Sequence, residues 1–103
     1  MRIYPETRQQ DLMTLAGMEK RAGRFGTAAQ HAEEAASLNT NSQRYWNLLY
    51  AAWYTELDQG PQAGLAYYRN VQQQMIEAGE NDGNLARSAQ EKIERLERIV
   101  ASQ

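Results

Sequence analysis

A chain of 103 residues, 42% hydrophobic and 23% charged, is one domain's worth of material, enough to bury roughly 60–70% of the surface its unfolded form exposes. Thirteen acidic against eleven basic side chains leave a formal charge of −2, and the cations, mostly arginines, are scattered rather than run together, which argues against a polyanion-binding surface. The lack of cysteine removes disulfides, zinc–thiolate sites and cysteine nucleophiles together. No window nears about 18 continuous apolar residues, so neither a membrane span nor a signal peptide is expected, and a cytoplasmic chain is.

Valine and isoleucine are sparse and no stretch alternates apolar with polar residues, which predicts an all-α class. Pro5 and Glu6 suit a first turn and predict a helix over about 5–22 that stops at Gly23. Lys20, Arg21 and Arg24 sit at its end, where cations complement the macrodipole. Thr27 with Gln30 reads as a capping box for a second helix that closes near Leu38 and Asn39. Alanines dominate that helix, so its face is built to be approached closely. Asn41 or Ser42 is the expected cap of a third helix, QRYWNLLYAAWYTEL, which carries most of the aromatic mass. Gly60–Pro61 opens a fourth helix over about 61–78, stopped by Gly79. Asp82 or Asn84 caps a fifth over 84–101, where Leu85, Ala89, Ile93, Leu96 and Val100 recur at helical steps and Glu91, Glu94, Arg95, Glu97 and Arg98 face outward.

The chain also repeats itself. Leu12 and Trp46 lie 34 residues apart, as do Leu15 and Leu49, and Ala16 falls on Tyr50. One inserted residue then aligns Ala28 with Ala63 and Ala32 with Tyr67. A helix pair of this period resembles the tetratricopeptide repeat, whose first helix reads W-x-x-L-G-x-x-Y and whose second carries A-x-x-x-F. Trp46, Leu49 and Trp53 supply the first pattern, and Ala63 with Tyr67 the second; Leu12, Leu15, Ala16, Ala28, Ala32 and Ala35 form a leaner first copy. The resemblance implies a single domain over 1–103: five antiparallel helices in a right-handed superhelical array, with repeat one over about 8–41, repeat two over about 42–78 and a solvating helix over about 84–101. Two positions depart from the family pattern. Thr40 replaces its closing proline, and Tyr50 stands where it has glycine, with Gly64 expected to make the room.

No reaction is legible, so the chain reads as a non-enzymatic one. The single histidine, His31, stands near Glu34 without a nucleophile, a glycine-rich loop or a second ligand, and reads as a partly exposed helical residue. Glu33–Glu34 and Glu77–Glu80 give no metal-ligand set, and neither metal nor cofactor is expected. Tyr45, Trp46, Tyr50, Trp53 and Tyr54 have too few cations beside them to stack a nucleic acid; Trp46, Leu49 and Trp53 read as core, and Tyr54 falls on another face.

The resemblance implies a concave surface, made by the first helix of each pair, that binds a peptide or helix of a partner protein. The matching positions are Gln10, Met13, Gly17, Lys20 and Arg21, then Arg44, Asn47, Ala51, Tyr54 and Thr55, each set on one helical face. Met13, Gly17 and Ala51 stand where a chaperone-tail clamp carries polar donors, so that ligand is not expected. The alternative is a structural subunit of a homo-oligomer or larger assembly, docked through the last helix, where Ala86, Ala89, Ile93, Leu96 and Val100 nearly follow a heptad and Ile99 adds width. Neither nucleic acid nor membrane is an expected partner.

Overall fold

The computed structural model describes residues 5–103, with side chains from Arg8 onward. It contains α1 (Pro5–Arg21), α2 (Phe25–Ser37), α3 (Gln43–Gln59), α4 (Pro61–Glu77) and α5 (Gly83–Ala101), and no strand among the described residues. None of these helices is long and apolar enough to cross a membrane. Pro5 opens α1; the part given to Glu6 lies outside the described side chains.

Helix ends follow local chemistry, with two corrections. Gly23 and Gly79 close α1 and α4 at φ +82° and +68°, a region that costs a residue with a β-carbon. The amides after them, of Arg24 and Glu80, reach back to the carbonyls of Glu19 at 2.8 Å and Met75 at 2.9 Å, the double-turn closure that satisfies the last carbonyls. Asp82 caps α5, its carboxylate accepting from the Asn84 and Leu85 amides at 3.0 and 3.2 Å. The Thr27–Gln30 box caps nothing, because α2 begins two residues earlier at Phe25 behind Arg24, which makes no side-chain cap. At α3 the Asn41 side chain accepts from the Gln43 amide at 3.0 Å. Ser42 instead donates to Glu80 at 2.9 Å, joining the α2–α3 connection to the α4–α5 one.

Helices pack in chain order: α2 lies between α1 and α3, α4 lies between α3 and α5, and α3 touches α5 lightly. A compact chain of this length has a radius of gyration of about 13 Å, whereas this one measures 13.9 Å with extents of 52 × 35 × 17 Å. Helix axes pack about 8–10 Å apart, so the short dimension holds two layers.

The interior divides in two. Ala16, Ala28, Ala29, Ala32, Ala51 and Tyr54 form one cluster, centred on α2. This accounts for the alanines: α2 is enclosed on both sides, and five of its alanines are buried. Leu48, Leu49, Leu65, Tyr68, Val71 and Met75 form the other, joined by Leu85, Ala89, Ile93 and Leu96 from α5. The α5 stripe is therefore used within the chain, which leaves Ala86 and Ile99 as its exposed apolar residues and Val100 half-buried.

Three expectations change here. Residues 34 apart do not share an environment: Leu15 is 41% exposed against 3% for Leu49, and Ala16 is buried where Tyr50 is 45% exposed. The faces coincide at thirty-six residues, the spacing between the first residues of α2 and α4; Leu12 with Leu48, Ala16 with Ala52, Ala28 with Gly64, Ala32 with Tyr68 and Ala35 with Val71 are buried in both copies. Gly64 does not make room for Tyr50. A β-carbon there would lie 2.6 Å from Cβ and 3.1 Å from Cα of Glu56, so the glycine admits the backbone of α3 itself. Arg95, expected to face outward, reaches back to Glu56 with hydrogen bonds of 2.8 and 3.3 Å.

Candidate functional site

The predicted binding residues divide among different places. Gln10, Met13, Asn47 and Tyr54 come together in an open groove of about 610 Å³ between α1 and α3, joined by Gln9, Thr14, Gln43 and Tyr50. Its character follows from helical spacing: Gln43, Asn47, Tyr50 and Tyr54 recur at three- and four-residue steps and present one face of α3 to α1. Asn47 is only 1% exposed. Its Oδ1 accepts from Gln43 Nε2 at 3.1 Å, while its Nδ2 is buried without a partner. A buried donor left unmade costs about 1–3 kcal/mol, which marks Asn47 as the polar group this groove leaves unanswered.

The other predicted residues lie elsewhere. Lys20 sits with Nζ 4.7 Å from the Trp53 ring centroid, a cation–π contact. Arg21 is exposed, its charge close enough to oppose the upward shift that burial gives the Tyr54 phenol. Arg44 lines a depression with Thr40, Gln74 and Glu77, and Thr55 one with Gly26, Glu33 and Tyr67. Both are away from the α1–α3 groove because their places along α3 turn them off its face. Tyr54 does not escape the core: it is 4% exposed and stacks on Trp53 at 5.5 Å. Truncating it would remove a core ring.

The sequence reading missed a second concavity. Trp46, Leu49, Tyr50 and Trp53 on α3 face Ser88, Lys92 and Arg95 on α5 across a cleft of about 290 Å³, with Tyr68 of α4 beneath. Trp46 and Trp53 are partly buried rather than core. The signal was present as Ser88, Lys92 and Arg95 at steps of four and three, a polar line beside the apolar stripe of α5. Tyr50 lines both concavities and forms the ridge between them. Burial pushes the Tyr68 phenol well above its ordinary value, with the Glu56 charge adding and the Arg95 charge opposing.

His31 pairs with Glu19 across α1 and α2, and not with Glu34, which holds Arg8 at 2.7 Å. Glu19 is buried. It continues the line Leu12, Ala16, Glu19, so the apolar stripe of α1 ends on a carboxylate with His31 as its partner. No cluster of three or more His, Cys, Asp or Glu side chains that could hold a metal ion occurs among the described residues. No protein-family model, curated protein or solved structure matches this chain.

Proposed function

We propose that this chain is a non-enzymatic protein-interaction module of the tetratricopeptide-like kind, with two degenerate antiparallel helix pairs and a closing helix, that holds a peptide segment of a partner protein along the face shared by α1, α3 and α5. Three features support the reading. Sequential packing into a two-layer slab is what stacked helix pairs produce and a closed bundle does not. Burial recurs at thirty-six residues along both helices of the pair. Both concavities open along the first-helix positions, with Tyr50 between them.

The observation that carries the proposal is Asn47. An amide with one end fixed by Gln43 and the other buried without a partner lies at the floor of a groove walled by Gln9 and Gln10, where a small shift of the side chains over it opens the free donor to a main-chain carbonyl. The alternative, a subunit docked through α5, has Ala86 and Ile99 as its exposed apolar contacts.

Selection of random twelve-residue peptides on the immobilised chain tests the function. Enriched peptides that compete with one another, and that bind Asn47→Ala at least tenfold more weakly while its circular dichroism is retained, are the expected result. No enrichment, or equal binding by the variant, removes the proposal that this face reads a peptide backbone.

A further inference from the structure

We propose that the α3–α5 cleft receives one bulky apolar side chain of the partner segment, and that acidic residues beside that side chain are drawn to Lys92. This rests on the chain being a peptide binder, and adds which peptides it prefers.

The walls and the size point to a side chain rather than a cofactor. Trp46, Tyr50 and Trp53, at positions one and two turns apart, present three rings, and Leu49 and Tyr68 lie with them. At about 290 Å³ the space falls at the lower edge of the roughly 300–1,000 Å³ of small-molecule sites. An aromatic or branched aliphatic residue fits that scale. Tyr50 is 45% exposed, so part of its ring is open for such a side chain to cover.

Charge selects the residues beside it. This chain has two lysines, in a composition that is net acidic, and both stand at the tryptophans: Lys20 lies over Trp53, and Lys92 lines the cleft. Arg95 shares its guanidinium with Glu56, so those two charges offset each other. Lys92 has no ion pair among the described residues. Of the carboxylates near it on α5, Glu94 accepts from Gln90 and Glu91 is exposed to solvent. The cleft therefore sets a lysine without an ion pair beside a hollow with aromatic rings on one wall and polar side chains on the other, a pairing that suits a hydrophobic residue flanked by Asp or Glu. Two ammonium groups and a neutralised guanidinium are too few for a phosphate backbone, where each neutralised phosphate adds to the salt dependence.

Trp46 and Trp53 are the chain's two tryptophans and both line the cleft, so its occupancy is read directly from their emission. The probes are the peptides enriched by display, resynthesised without tryptophan. The expected consensus places Leu, Ile or Phe within two positions of Asp or Glu. Titration then shifts the tryptophan emission, alanine at the apolar position abolishes the shift, and both Lys92→Glu and Ser88→Trp, which fills the hollow, weaken binding at least tenfold. Should Lys92→Glu lose helical signal, Lys92→Gln replaces it with an expected loss of about threefold. Enriched peptides that lack the apolar–acidic pair, or that bind the Lys92 and Ser88 variants as tightly as the parent, overturn the cleft assignment and leave the peptide-binding reading in place. If nothing is enriched, both fall.

Discussion

In α1 and α2 the buried surface is mostly alanine, Ala16, Ala28, Ala29 and Ala32 among them, with Leu12 beside these and Glu19 and His31 set at the edge; among α3, α4 and α5 it is mostly leucines, Tyr68, Val71, Met75 and Ile93. The first interface works through close approach, since alanine adds little area of its own and loses no rotamer freedom. The second works through bulk, at about 25 cal/mol for each Å² of apolar surface removed from water. Because the second removes far more apolar surface per side chain, stability is expected to concentrate in α3–α5, with α1, packed chiefly on α2, the first helix to open. Hydrogen exchange should therefore protect the amides of α4 and α5 longer than those of α1. The two concavities follow the same division: the cleft with the larger rings is anchored in the bulky half, and the amide groove needs α1 to stay docked.

The largest effect is expected where bulk is removed. Leu96, fully buried, should cost about 2–5 kcal/mol on truncation to alanine, measured as a shift of the urea midpoint at constant slope. A loss below about 1 kcal/mol would show that α5 covers α4 without holding it. The alanine half should fail in the opposite way, by addition. Ala32 is completely buried between neighbouring helices, so Ala32→Leu forces them apart at about 1–3 kcal/mol, while Leu85→Met, which conserves volume, costs less than about 1.5 kcal/mol. Gly64→Ala belongs with the alanine substitutions although it lies in the bulky half, since its new methyl meets Glu56 at 2.6 Å. A neutral Gly64→Ala would mean that α3 and α4 separate without cost.

Much of this contrast was legible in the sequence and some was not. Helix number and class came from proline, glycine and apolar spacing, which act locally, and Pro61, Gly79 and Asp82 do what their chemistry predicts. The repeat register came out two residues short because Leu15 and Tyr50 are large and apolar yet exposed, and residue type alone does not say which turn of a helix faces a neighbour. Likewise, Tyr54 lies in the core rather than on the surface, and Trp46 and Trp53 pack against the core while one side of each stays open. The groove was half legible: four of its residues were named, while the cleft required knowing that α5 lies beside α3. A contact between helices so far apart in sequence is not encoded at any one position.

A smaller effect is expected from the polar pair in the alanine half. His31→Ala leaves the buried Glu19 carboxylate without its partner, at about 1 kcal/mol, because the histidine is 26% exposed and water reaches the site. Glu19→Gln keeps the shape and a hydrogen-bonding end, and should cost less. If the order reverses, the carboxylate is held by something other than His31, and a double-mutant cycle would give a coupling near zero.

The last expected effect is silent at neutral pH and distinguishes the halves by titration. Tyr67 and Tyr68 both hold their phenols above the ordinary value of about 10: for Tyr67 through burial and then the negative charge of Glu33, for Tyr68 through burial and then that of Glu56. Below pH 10 both rings are protonated whether the chain is folded or not, and they add no slope. Above it the unfolded chain releases protons that the folded chain keeps, so the unfolded state binds fewer and stability falls as pH rises. Tyr68 belongs to the bulky cluster, and Tyr67 touches both clusters. Tyr68→Phe should therefore flatten the decline in the global unfolding free energy between about pH 10 and 11.5, measured by urea denaturation against the parent chain. Tyr67→Phe should flatten the decline both in that quantity and in the protection of α2 amides. If Tyr68→Phe leaves the alkaline slope unchanged, the cluster admits water to that ring, and the bulky half is not the drier of the two.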